Sequence, residues 1–396
     1  KDYEKRHYHP DRLLYPMKRV GPKGSGRFER VSWDAALAEI ATRLQAVAAR
    51  DPQAILPYSY AGTMGLLQGE SMDRRFFHRL GASQLDRTIC SSAGGDALAA
   101  TYGGKVGMHL PHYAESRLIL IWGSNSIASN LHFWRLAQQA KRDGARLVCI
   151  DPRRSETADK SHEHIALRPG TDAAFLLAML HVVLDEGLAR TPSYVDGLET
   201  LGDLVAPFTP EAVATRCGMT ADTIRHLAHQ LARTPRAAVY ARIGTCTQQY
   251  GTLASWLVDV LNTITGHMDQ VGGMLFAKSA AFASNTQGKD GMGKGVSTGR
   301  HHARVSGAPE VYGELPIACL TEEIETPGAG QVRALITVAS NPVLSAPNGE
   351  RLSAALGLPV AYLEQVHGVV VHAARPSDVD GPAPTADAAW TRHIGL

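Results

Sequence analysis

The run Leu118-Ile119-Leu120-Ile121-Trp122 has no polar member, and a second such run, Arg146-Leu147-Val148-Cys149-Ile150, follows it after a helical stretch stopped by Gly144. A strand that is apolar on both faces must be covered on both faces, as central strands of parallel sheets are. Strand, helix and strand in this order form a right-handed crossover unit, which requires parallel pairing. Sheets of this kind bind ligands beyond the carboxyl ends of their strands. The residues just after Trp122 and Ile150 therefore carry more functional weight than the strands themselves.

The same alternation recurs along the chain. After an extended opening punctuated by His9-Pro10 and Tyr15-Pro16, Ser32 is placed to cap a helix whose apolar positions are Leu37, Ile40, Leu44 and Val47. A strand is expected over 54–60 and a helix over 70–80, with a further helix over 129–142 between the two apolar runs. Ala237–Tyr240 with a helix over 253–264 repeats the pattern, and so does 334–338 with a helix over 349–356 and a strand over 360–363. The segment 279–307, rich in Gly, Ser, Lys and His, reads as a long loop.

A chain of 396 residues exceeds what one core holds, roughly 250 to 300 residues, so two or three domains are expected. A formal charge of +2 with 20% charged residues, and no block of like charge, argues against a nucleic-acid partner. Apolar stretches fall short of the roughly 18 residues of a spanning helix, so no direct membrane insertion is expected. Cys90, Cys149, Cys217, Cys246 and Cys319 are too scattered for a C-x-x-C site or a disulfide framework and read as reduced thiols. With Lys1 first and no charged-then-apolar leader, the chain reads as a fragment, and 373–396 reads as an irregular tail.

Three strand or helix ends suit a nucleotide. Gly123 permits close backbone approach after the first strand, and Ser124 and Asn125 add short donors and acceptors. Asp151 can accept from a ribose hydroxyl or a guanine edge, and Arg153 can meet a phosphate. Gly170, Thr171 and Asp172 crowd a helix start, where free N–H groups favour anions. Each has an ordinary explanation too: a tight turn, a surface pair and an N-cap. A G-x-G-x-x-G fingerprint is missing, which weighs against an NAD-dependent dehydrogenase. Cys90 opens the small-residue run Cys90-Ser91-Ser92-Ala93-Gly94-Gly95. Inert packing is the commoner fate of such a cysteine. At a helix start, however, a thiolate is stabilised and available to a metal. With no neighbouring ligand residue, the remaining metal ligands would come from a cofactor.

These residues together resemble the molybdopterin oxidoreductase superfamily, the relatives of dimethyl sulfoxide reductase. The resemblance begins with Tyr8-His9-Pro10-Asp11-Arg12 through Val20-Gly21 and Phe28 to Asp34, and takes in 87–94, 122–125, 150–153 with Thr157, and 168–172. It continues through Thr265-Gly266-His267 and Gly272-Gly273 to Ser340-Asn341-Pro342, and so runs over residues 1–372. It implies an α/β fold of two doubly wound, mainly parallel-sheet domains, the second inserted into the first: 1–83 plus 276–372, and 84–275.

By the same resemblance Cys90 is the protein ligand of a molybdenum or tungsten bis(molybdopterin guanine dinucleotide) centre. Gly123, Ser124, Asn125, Asp151, Arg153, Thr157, Gly170, Thr171 and Asp172 match the stretches that hold one pterin dinucleotide, Gly244 lies in a turn lining it, and Asn341 and Pro342 match a loop near the other. Formate dehydrogenases place His after the ligand, and Ser91 stands there instead. His301 and His302 read as a solvated pair. The family's amino-terminal cysteine cluster is absent, so a [4Fe–4S] cluster is expected only in a full-length protein. The implied activity moves an oxygen atom, or a proton and electrons, to or from a small-molecule substrate, with an electron-transfer protein or subunit as partner. The rival reading is a non-catalytic scaffold subunit of this fold. Relatives occur on both sides of the inner membrane, with the cytoplasmic side slightly favoured and the periplasmic side open.

Overall fold

All five residues of β4, Leu118–Trp122, are buried. Burying each such large side chain is worth about 1.5–3 kcal/mol, so this strand anchors everything around it. The computed structural model describes residues 3–58, 72–83, 90–102, 107–274, 298–311, 315–338 and 340–357, with strand segments at 364–365, 371–374, 385–386 and 388–391. The chain divides into two units, Ile89–Val296 and the combination of Lys1–Thr88 with Ser297–Leu396.

In the Lys1–Thr88 and Ser297–Leu396 unit, β1 (Met17–Arg19) pairs antiparallel with β2 (Phe28–Arg30). The helix Trp33–Ala48 starts at Ser32, whose side chain accepts from the Ala35 amide. β3 (Ile55–Tyr58) pairs in parallel with β10 (Ala334–Thr337), as the crossover pattern requires. Leu44, Ile55, Phe77 and Ala82 form the core around this pair.

The Ile89–Val296 unit is built on a four-stranded parallel sheet. Its members are β4, β5 (Arg146–Ile150), β6 (Glu163–Ile165) and β7 (Ala237–Ala241), in the order β6-β5-β4-β7. Alternate side chains of a strand face opposite ways. Leu118, Leu120 and Trp122 join Val148 and Ile150 beneath the helices Asp172–Asp185, Ala221–Arg233 and Gly251–Ile264. Ile119, Ile121 and Leu147 join Phe133, Ala137 and Ala140 of the helix Leu131–Arg142 on the opposite face. There Phe133 stacks on Tyr240 at 3.7 Å, with Tyr113 edge-on to both. The chain is thus a mixed helix and parallel-sheet α/β protein.

Register decides where function can sit. Trp122 is opposite Ile150 on one side and Ala241 on the other, so the three strands end together. Gly123, Asp151 and Arg242 emerge side by side from one edge of the sheet.

Several expectations need correcting. The helix expected from residue 129 begins at Leu131, because Asn130 caps it by accepting from the Phe133 amide. The segment read as a loop over 279–307 contains β8 (Thr298–His302), which pairs antiparallel with β9 (Pro309–Val311). Arg300 pairs across it with the buried Glu310, and a polar pairing of this kind leaves no apolar alternation to read. His301 and His302 are exposed on that strand. The stretch read as an irregular tail from residue 373 contains the end of a strand, Val371–Ala374, which pairs in parallel with Ala388–Thr391. Those segments are short and small-residue-rich, so pattern alone did not mark them. The strand expected over 360–363 lies outside the described residues.

Candidate cofactor site

At the carboxyl edge of the sheet, the turns after β4 and β7 touch backbone to backbone. Gly123 adopts a left-handed φ of 58°, and a Cβ built on it would lie 2.8 Å from the Gly244 Cα. The converse contact, from a Cβ on Gly244 to the Gly123 Cα, would be 2.6 Å. The Gly244 amide donates to the Gly123 carbonyl at 3.0 Å, and the Gly123 amide to the Ile150 carbonyl at 2.9 Å. Only glycine fits this crossing, so the turns after β4 and β7 are held edge to edge.

Beneath the crossing lies a polar hub. Trp122 Nε1 donates to Asp172 Oδ1 at 2.7 Å, and the Gln248 amide lies near enough to favour the ionised Asp172 carboxyl. Gln248 Nε2 reaches the Gly244 carbonyl at 2.9 Å. Burial raises the Asp172 carboxyl above the ordinary carboxylate range, against the pull of Trp122 and Gln248. Gln248 Oε1 is buried with no hydrogen-bond partner among the described residues. An acceptor left over at the edge of a buried network is one a ligand donor can satisfy.

The other residues singled out from sequence divide into two kinds. Some are committed within the fold. Asn125 donates to Glu156 Oε2 at 2.7 Å and accepts from the buried Thr157 hydroxyl at 2.9 Å, while Thr157 Oγ1 accepts from the Ile127 amide. This stitches the turn after β4 to the helix Glu156–Lys160. The buried Ser124 pairs with Ser126 at 2.8 Å. Asn341 caps the short helix Pro342–Ser345 by accepting from the Val343 amide, and both residues lie in the other unit. Of the remainder, Arg153 and Gly170 face outward and Thr171 does not. Arg153 is exposed, its amide donating to Asp151 Oδ1 at 2.9 Å. Gly170 is exposed at φ 77° with nothing within 4 Å of a built Cβ. Thr171 is buried, its hydroxyl donating to the Arg168 carbonyl at 2.6 Å.

Cys90 is half-buried, two residues before the helix Ser92–Tyr102, and is not disulfide-bonded. That helix packs on Gly251–Ile264 and on the Ile243–Cys246 turn that carries Gly244. A Cβ on Gly94 would lie 3.0 Å from Cys246 Sγ, so the helix is seated closely on the corner. Cys149, Cys217 and Cys319 are buried, and burial pushes their thiols up, Cys149 to about 12. Among the described residues, no group of three or more His, Cys, Asp or Glu is gathered as a metal site.

Sequence reasoning placed Trp122 at a strand end suited to a nucleotide and Gln248 in the turn lining the cofactor, but gave neither side chain a role of its own. The signal for Trp122 was present: an indole ending an otherwise aliphatic buried strand needs a partner for its N–H.

An open parallel sheet whose aligned strand ends gather bare glycine backbone, short hydroxyls, a carboxylate and arginine is the ligand-holding layer of an α/β protein. This chain belongs to the molybdopterin oxidoreductase family, whose model matches residues 12–371. It is similar to a probable oxidoreductase, YoaE, of Bacillus subtilis, with 36% identity over 67% of this chain and 40% of that protein. The dimethyl sulfoxide reductase DmsA of Haemophilus influenzae is 32% identical over 70% of this chain and 39% of its own length. Acetylene hydratase from Pelobacter acetylenicus has a similar fold, with a TM-score of 0.58 and 28% identity over 67% of this chain and 37% of that one. The chain spans about two fifths of the length of the relatives it matches.

Proposed function

We propose that this chain is part of the catalytic subunit of a molybdenum or tungsten oxidoreductase. In this reading it holds a bis(molybdopterin guanine dinucleotide) cofactor, with Cys90 as the protein ligand to the metal. When bound, the cofactor supplies the redox chemistry by which an oxygen atom, or a proton and electrons, passes to or from a small substrate. The observation that carries the proposal is the Gly123–Gly244 crossing above the Trp122–Asp172–Gln248 hub, with the helix that follows Cys90 seated on the same corner.

The residues present suit such a group. Glycine at 123 and 244 lets the turns after β4 and β7 meet backbone to backbone, which fixes the strand ends in one arrangement beside a bound group. Asp172 and the unpartnered Gln248 Oε1 are acceptors, matched to the N–H groups of a guanine edge. Exposed Arg153 is a cation for a phosphate, and Asp151 holds its backbone. Exposed Gly170 opens the amino end of the Asp172–Asp185 helix toward anionic groups, and buried Thr171, its hydroxyl on the Arg168 carbonyl, holds that turn in place. Asn125 and Thr157 keep the turn after β4 in place rather than touching the ligand. Cys90 offers one soft donor, and the sulfur-rich cofactor would supply the rest.

The two doubly wound domains, one inserted in the other, belong to this reading. So do an electron-transfer partner and a [4Fe–4S] cluster elsewhere in a longer protein. No helix among the described residues is long and apolar enough to cross a membrane.

The test is elemental and spectroscopic. Chain purified from a host that makes the cofactor should carry molybdenum or tungsten and release a guanine nucleotide on acid hydrolysis. In Cys90→Ala the metal content should fall, and X-ray absorption of whatever metal remains should lack one sulfur neighbour. An unchanged sulfur count at full metal content would refute the role given to Cys90.

A further inference from the structure

The turn after β5 is a fixed frame. His164 Nε2 donates to the Asp151 carbonyl at 2.8 Å, which ties that turn to β6. The Arg153 amide donates to Asp151 Oδ1 at 2.9 Å, and the Ser155 amide to the Arg153 carbonyl at 2.9 Å. Arg154 is held by Asp159 at 2.7 Å, and Ser155 caps the helix Glu156–Lys160. An acidic residue in the first turn of a helix has an ordinary use, because it complements the positive end of the helix. Glu156 does more, since its Oε2 accepts from Asn125 Nδ2 at 2.7 Å across 31 positions of chain.

The order of the bonds gives this contact a direction. Asn125 Oδ1 accepts from the Thr157 hydroxyl at 2.9 Å, and Thr157 Oγ1 accepts from the Ile127 amide at 3.1 Å. Glu156 thus fixes which end of the Asn125 amide faces the frame, and the hydroxyl and the Ile127 amide line up behind it. Without this acceptor the half-buried Asn125 amide is free to turn, and the loss passes along the row because such bonds support one another. On its other side, the turn after β4 is gripped by Gly244, whose amide donates to the Gly123 carbonyl at 3.0 Å. Glu156 and Gly244 therefore hold the two flanks of residues 123–125.

We infer that Glu156 is a positioning residue, acting through Asn125 to hold the turn after β4 in the arrangement a bound cofactor needs; this rests on the cofactor reading above.

Two measurements test it, with two controls. The first is amide hydrogen exchange of the full chain, which reads local opening and needs no cofactor. In Glu156→Ala the Ile127 amide should exchange about tenfold or more faster, the effect of losing one hydrogen bond to a charged group, while the β4 amides keep their protection. Glu156→Asp keeps the charge at the helix end but is one methylene too short to hold Asn125, so it should behave as Glu156→Ala does. Glu156→Gln keeps the acceptor and should behave as wild type. Ser161→Ala removes the bond from the Ser161 hydroxyl to the Thr157 carbonyl, at the far end of the same helix, and should leave Ile127 unchanged. The second measurement is metal and guanine-nucleotide content of chain from a cofactor-making host, which should fall about fivefold or more in Glu156→Asp and recover in Glu156→Gln.

Wild-type exchange at Ile127 in Glu156→Asp, or equal acceleration in Ser161→Ala, overturns the inference and leaves the cofactor reading intact. Faster exchange with full cofactor content overturns it as well. A wild-type chain that carries neither metal nor guanine nucleotide sinks the cofactor reading first, and the role given to Glu156 falls with it. Should Glu156→Ala fail to fold by circular dichroism, Glu156→Asp and Glu156→Gln decide the matter.

Discussion

Three glycine-to-alanine substitutions separate the two physical demands made at the edge of the sheet. Gly170 has φ 77° and open space around it, so Gly170→Ala costs only the left-handed backbone penalty, about 1–2 kcal/mol. Gly244 is not left-handed, but its added methyl would lie 2.6 Å from the Gly123 Cα and 2.9 Å from the Gly123 carbonyl oxygen. Gly244→Ala therefore pays only for displaced backbone, about 1–3 kcal/mol by analogy with overpacked cores. Gly123 carries both demands, with φ 58° and a 2.8 Å approach, and Gly123→Ala should cost about 2–5 kcal/mol. Urea unfolding of the three variants and wild type gives the values directly, provided the slopes agree. If Gly244→Ala falls within about 0.5 kcal/mol of wild type, as a bland surface change would, the backbone crossing is not a real constraint. If Gly123→Ala is no worse than Gly170→Ala, the same conclusion holds.

Asp259 lies buried on the Gly251–Ile264 helix, and burial raises its carboxyl from the ordinary 3.8 to about 7. Because the folded state holds this proton more tightly than the unfolded chain, its stabilising contribution is complete below about pH 4 and is lost as pH rises to about 7. Asp259→Asn should flatten the pH dependence of unfolding over that window, removing a term of up to about 4 kcal/mol; a slope equal to that of wild type would count against it. Trp122→Phe removes the indole donor to Asp172 at a fully buried position and should cost about 1–3 kcal/mol. The lost bond favours the ionised carboxyl, so the cost should grow as rising pH ionises Asp172, and a cost independent of pH would argue that Asp172 is not the partner that matters.

Much of the fold was legible because the decisive signals are local. The apolar runs of β4 and β5 report burial on both faces, the helical spacing of Leu131–Arg142 reports the crossover, and Gly123 after a buried strand reports a turn that no other residue makes. The motif residues were legible as a set, but their duties were not. Asn125 and Thr157 read as ligand contacts and are bonded to each other; Asn341 reads the same way and caps a helix. Short polar side chains serve ligands and backbone equally well, and composition cannot tell the two apart.

From its sequence alone, then, this chain is committed to buried parallel strands, to crossover helices and to glycine, hydroxyl and carboxylate at the strand ends, because period, side-chain volume and backbone freedom are properties of neighbouring residues. Only the tertiary structure decided that β7 lies against β4, and hence that Gly244 crosses Gly123 and that Gln248 and Trp122 meet at Asp172. Trp122 and Asp172 stand 50 positions apart, and the bond between them depends on strand order and on the helix that packs across it. Chain order does not contain that information; the shared burial of two sheet faces enforces it.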